Sequence, residues 1–87
     1  MRKIEIPATL RDSEFYAHCD EIQVHLAGPD TYYVQGIRQD AKAPLGFRAL
    51  NFGPADLAAE EALDLAARLA AVYDCPITRN EAQYALV

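Results

Sequence analysis

The chain has 87 residues, 52% of them hydrophobic, with 13 acids against eight bases and a formal net charge of −5. That length supports one domain, residues 1–87, whose folding hides roughly 60% of its unfolded surface, and the apolar content excludes a disordered tail. No apolar run approaches the ~20 residues of a membrane span, so no membrane association is expected.

The N-terminus, "MRKIEIPATLRD", has basic residues but no apolar h-region, so no secretory signal is expected. "KIEI", residues 3–6, alternates apolar and charged residues and predicts a short strand stopped by Pro7. The next stretch reads two ways. Phe15, Cys19, Ile22 and Leu26 have helical spacing, whereas Ile22, Val24 and Leu26 alternate with Glu21, Gln23 and His25 as in a strand. We divide it into an irregular or short helical piece over 13–19 and a strand over 21–27.

"AGPD" is a turn signal, and "TYYVQGIR", residues 31–38, is rich in β-formers and completes a hairpin. After the polar loop "QDAKAPLG", "FRALNF" predicts a third strand over 47–52. The main helix follows. Gly53 is a tolerable N-cap, Pro54 suits the first helical position, and Asp56 falls where a negative charge meets the helix dipole. Ala58, Ala62, Leu65, Ala66, Leu69, Val72 and Tyr73 share one face of that helix, and Glu60, Glu61, Asp64 and Arg68 share the other. Pro76 ends it. "TRNE", residues 78–81, has the form of a capping box for a short terminal helix. "YALV", residues 84–87, reads alternatively as an edge strand beside "KIEI", which we prefer because a fourth strand helps bury a thin sheet. The fold class is α+β: an antiparallel sheet of three to four strands with one main helix packed across it, in the order β, irregular or α, β, β, β, α and a short C-terminal element.

Segment 53–75 holds five acids (Asp56, Glu60, Glu61, Asp64, Asp74) and one base, Arg68, giving −4 of the net −5. Direct nucleic-acid binding calls for clustered Lys and Arg, the reverse of this layout. An acidic face suits solubility, a basic protein partner, or imitation of a phosphate backbone.

No catalytic or metal motif stands out. His18, Cys19, His25 and Cys75 lack metal-site spacing. The single serine, Ser13, has no nucleophile-elbow context. Cys75 lies near a helix C-terminus, where the dipole disfavours a thiolate. The acid pairs Asp20-Glu21 and Glu60-Glu61 show no pocket that would shift a pKa. "NFGPADL" places Pro and Asp where a phosphate cradle needs N–H donors. We therefore expect no enzyme, cofactor or metal, and a reduced, cytoplasmic protein with free Cys19 and Cys75.

The hairpin is apolar on both sides, with Tyr33 and Ile37 on one and Tyr32 and Val34 on the other. One helix covers one side. The other is left to the segment around Phe15, to a second copy, or to a partner.

"EIQVHLAGPDTYYVQGIR", "FRALNF" and "GPADLAAEEALDLAARLA" together resemble the hairpin, third strand and Ala-rich helix of several small phage-encoded anti-CRISPR proteins. The resemblance spans about residues 21–73 and rests on size, charge and element order. It implies a non-catalytic inhibitor in the bacterial host cytoplasm, which evades antiviral defence by docking on a basic nucleic-acid-binding surface of a CRISPR effector complex. The contact residues would be Asp56, Glu60, Glu61, Asp64 and Tyr33. The element order is also similar to the core of some bacterial antitoxins and to double-stranded-RNA-binding-like folds. The latter place bases at the helix start, where this chain has Asp56, Glu60 and Glu61. The alternative expectation is an antitoxin or regulatory interaction domain, a homodimer through the sheet.

Overall fold

The computed structural model describes residues 1–80, with the side chain of Asn80 left aside. It is an α+β fold: one four-stranded sheet with a single long helix packed across it. The strands are β1 (Glu21–Gly28), β2 (Thr31–Gln39), β3 (Phe47–Leu57) and β4 (Ile77–Asn80), and the helix α1 (Ala59–Tyr73) joins β3 to β4. The sheet order is β3-β2-β1-β4.

β1 and β2 form the expected hairpin, with Val24 opposite Val34 and Gly28 opposite Thr31. Pro29 and Asp30 make the turn between them, where Pro gives a fixed φ and its missing N–H costs nothing. Alternation then decides which side chains meet the helix. Ile22 and Val24 from β1, Val34 from β2, and Leu50 and Phe52 from β3 point to one side, and all are buried. Ala62, Leu65, Ala66 and Leu69 press on them from α1. The two alanines leave room for the helix to lie close on the sheet.

Three details correct the sequence expectation. First, β3 runs on to Leu57, so Gly53, Pro54 and Asp56 belong to the strand and not to the helix start. Gly53 has φ 75°, a left-handed geometry that no N-cap uses. Five steps along β3, from Phe52 to Leu57, face only two along β2, from Val34 to Tyr32. The extra residues form a bulge, where both Gly and Pro are tolerated in a strand. Fully buried Leu57 anchors its end against Tyr32.

Second, the fourth strand is Ile77–Asn80, lying parallel to β1, so the sheet is mixed and not purely antiparallel. The capping-box reading of 78–81 therefore fails: Thr78 pairs with Gln23 in a ladder. The helix ends at Asp74, whose φ of 52° is left-handed, and the Cys75 N–H returns to the Ala70 carbonyl at 3.2 Å. That is a Schellman closure, and Pro76 after it forbids further helix. The edge strand expected over 84–87 lies outside the described residues.

Third, residues 3–6 make no sheet ladder. They run beside α1 on the helix side, with Ile4 and Ile6 packed on the core and Lys3 and Glu5 outside. The alternation correctly marked an extended piece with one buried side. It carried no information on whether that piece finds a strand to pair with. Residues 13–19 are irregular, preceded by a single 3-10 turn over Leu10–Asp12. Tyr16 lies against Phe52 at a ring separation of 5.6 Å, and the Tyr73 hydroxyl donates to its carbonyl at 2.6 Å. The segment around Phe15 thus closes the helix side of the sheet.

Candidate functional site

Two surfaces were candidates from the sequence, and the structure treats them differently. The acidic helix face is largely engaged with the chain's own bases. Arg2 reaches from the N-terminal segment to the start of α1. Its Nε donates to Glu61 Oε2 at 3.1 Å, its backbone N–H donates to the same oxygen at 2.6 Å, and its Nη2 meets Asp56 Oδ1 at 3.2 Å. Farther along, Arg68 holds Asp64 through Nε at 3.0 Å and Nη2 at 2.9 Å. Of the four expected contact acids, Glu60 alone has no such partner among the described residues; Asp56 stays exposed while paired. Counting Arg2 and Arg68 against Asp56, Glu60, Glu61 and Asp64 leaves −2 on this face.

Glu61 is a helix cap. It is buried, at 7% exposure, and stands third in α1, where its Oε1 accepts the Ala58 N–H at 2.8 Å. Ala58 has no side-chain acceptor to return the bond, so only half of a capping box is built. The Arg2 guanidinium, then the Ala58 and Arg2 N–H groups, pull the Glu61 carboxyl down to about 2 from an ordinary 4.5. A carboxyl lowered by folding stabilises the fold above its unfolded pKa, and that contribution disappears as pH falls through the folded value. Glu61→Gln is therefore expected to lower the unfolding midpoint at pH 7. It should also flatten the loss of stability between pH 4.5 and 2, read by thermal melts across that range; an unchanged acid profile would remove Glu61 from the cap. The sequence reading missed Arg2, because nothing local marks a partner 59 residues away.

The second surface is the side of the sheet away from α1, the open face. Among the described residues no element lies over it. β1 contributes Glu21, Gln23 and His25; β2 contributes Tyr33, Gln35 and Ile37; β3 contributes Phe47, Ala49 and Asn51; β4 contributes Thr78. The rings of register partners His25 and Tyr33 stack at 4.9 Å with 10° between planes. A hydrogen-bonded row runs beside them. His25 Nε2 meets Gln23 Oε1 at 2.8 Å, Gln23 Nε2 donates to Glu21 Oε1 at 3.3 Å, and the Thr78 hydroxyl donates to Glu21 Oε2. Because Gln23 Oε1 can only accept, His25 carries its proton on Nε2. Burial lowers the His25 pKa against the opposing pull of Glu21, so the ring is neutral at pH 7. Gln35 Nε2 donates to Asn51 Oδ1 at 2.9 Å on the neighbouring strands. Glu21 is the one formal charge these ten side chains carry, and it is already bonded on both oxygens.

The soft ligands do not assemble. His18 bonds Asp20 at 2.7 Å, His25 stands on the open face, and Cys19 lies in the core. Among the described residues no three His, Cys, Asp or Glu side chains gather around one point. Both cysteines are free, and burial pushes the Cys19 thiol up to about 11, away from a reactive thiolate. No helix of the described residues is long and apolar enough to cross a membrane. No family model, no curated protein and no solved structure matches the chain.

Proposed function

We propose that the chain is a protein-binding domain that pairs with a second copy of itself through the open face of the sheet. The observation that carries this reading is a wide, nearly uncharged face, with a stacked His25–Tyr33 pair at its hairpin end, on an otherwise acidic molecule. Like charge opposes association of two acidic chains, and it opposes it least where the face is neutral. Aromatic side chains on a face depleted of charge have the composition of an interface. The molecule spans 33 × 30 Å across and 18 Å through. Two such faces pressed together would stack the sheets ~10 Å apart.

Such pairing would leave both acidic helix faces pointing outward. That arrangement keeps a second role open for them, the one the anti-CRISPR resemblance implies: docking on a basic surface of a nucleic-acid-binding complex in the cytoplasm of a bacterial host. Exposed Glu60, together with Asp56 and Asp64, supports that role, whereas capped Glu61 serves the fold. Added salt would slow the encounter with such a partner.

Light scattering coupled to size exclusion tests the pairing. The wild-type chain is expected at twice 9.6 kDa, and Tyr33→Glu, which places a carboxylate beside His25 on the face, at 9.6 kDa with an unchanged circular dichroism spectrum. A wild-type monomer at all concentrations would reject the pairing.

A further inference from the structure

The helix side of the sheet holds a second, unrelated feature at its far end. Arg38 on β2 and Arg48 on β3 are register partners, so both side chains rise on the same side. Like charges set directly opposite destabilise a ladder, and no other ladder pair among the described residues is of like charge. Each guanidinium is anchored by only part of its donors. Arg38 Nη1 donates to the carbonyls of Glu14 and Phe15 at 3.3 and 3.5 Å. Arg48 Nε donates to Asp40 Oδ2 at 2.5 Å, and Asp40 Oδ1 accepts the Lys42 N–H at 2.9 Å. Among the described residues Arg38 Nε and Nη2, and both Arg48 Nη atoms, make no hydrogen bond.

These spare donors border an open depression of about 360 Å³, lined by Glu14, Phe15, Arg38, Asp40 and Arg48. Phe15 is half exposed, at 49%, and stands edge-on to Tyr16 at 5.0 Å and 83°.

We propose that this depression binds a small aromatic zwitterion of the aromatic amino-acid class. Planar guanidinium forks match a planar carboxylate in two-point contact. Asp40 and Glu14 balance the two arginines, so a dianionic phosphate meets no net attraction. The Glu14 carboxylate makes no hydrogen bond among the described residues and is placed to accept an ammonium group. Phe15 offers a face or edge to the ligand ring. The depression is on the helix side, so it stands whether or not the open face pairs.

The test is a titration of the full, isotope-labelled chain with L-phenylalanine, reading backbone amide and arginine Nε–H shifts. 3-Phenylpropionate, phenethylamine and inorganic phosphate serve as separate arms. Phenylalanine is expected to give saturable shifts at residues 14–16, 38–40 and 48 with a dissociation constant of about 1 mM or below. The three other compounds should each bind about tenfold more weakly or not at all, and Arg48→Gln and Phe15→Ala should each weaken phenylalanine about tenfold while other resonances stay in place. No saturable shift with phenylalanine overturns the site. Phosphate binding as tightly as phenylalanine would overturn the ligand class, and so would full affinity in Arg48→Gln.

Discussion

Leu65→Ala is expected to destabilise the domain by about 3 kcal/mol, within the 2–5 kcal/mol seen for buried leucines. Leu65 is 1% exposed and sits in the middle of the α1 row that faces the sheet. Its Cδ2 lies 3.2 Å from where a side chain would start on Gly53, beside Ile4 of the N-terminal segment. The shortened side chain therefore removes contact with the helix row, with the β3 bulge and with the N-terminal segment around Ile4. The backbone at the bulge is held by the Leu57 pairing, so the space collapses little and the cavity term is felt. Small domains have ~5–15 kcal/mol in total, so this one change takes a large share. Urea unfolding should show a lower midpoint with an unchanged slope. Leu63→Ala, on the exposed side of the same helix, should move stability by no more than ~0.5 kcal/mol. Equal losses at the two positions would contradict the assignment of helix faces.

The second large effect is expected at Gly36, where the cause is the opposite one. A Cβ added there would stand 2.6 Å from the Cys19 Sγ and 2.8 Å from Phe52 Cε2. Both neighbours are buried, and neither offers a flexible tip that swings into solvent. Gly36→Ala should cost about 2 kcal/mol, in the range of overpacked cores, although alanine is the smallest possible addition. Cys19→Ala removes the nearer conflict and leaves Phe52. The double variant should therefore be more stable than the sum of the two single losses, with a coupling of about 1 kcal/mol. Strict additivity would show that the sulfur does not abut Gly36. The pairing also explains why β2, otherwise rich in large residues, carries a glycine at its centre: Cys19 and Phe52 occupy the space its side chain would need.

The α+β class was legible because hairpin alternation and helix periodicity are local signals. The strands around Val24, Val34 and Leu50 and the row Ala62, Leu65, Ala66, Leu69 appear in the structure as read. The start of α1 was misplaced because "GPAD" satisfies helix-start chemistry and bulge chemistry equally well. The buried position of Leu57 against Tyr32, a tertiary fact, decides between them. β4 was missed for a similar reason. "ITRN" is too short to show a period, and its partner β1 lies more than 50 residues earlier. The periodicity put Glu61 on the outer helix face with Glu60 and Asp64, but that pattern is silent about Arg2, with which Glu61 forms a buried cap. Tyr33 was placed on the correct side of the hairpin by parity alone, while its stacking on His25 needed the register.

The most direct test of the proposed pairing is an isotope-filtered nuclear Overhauser experiment on a sample mixing labelled and unlabelled chains. The account predicts intermolecular contacts from the rings of Tyr33 and Phe47 and the methyl groups of Ile37, and none from Leu63 on the outer side of α1. Intermolecular contacts confined to the helix side, or none at a concentration where scattering reports a dimer, would contradict it.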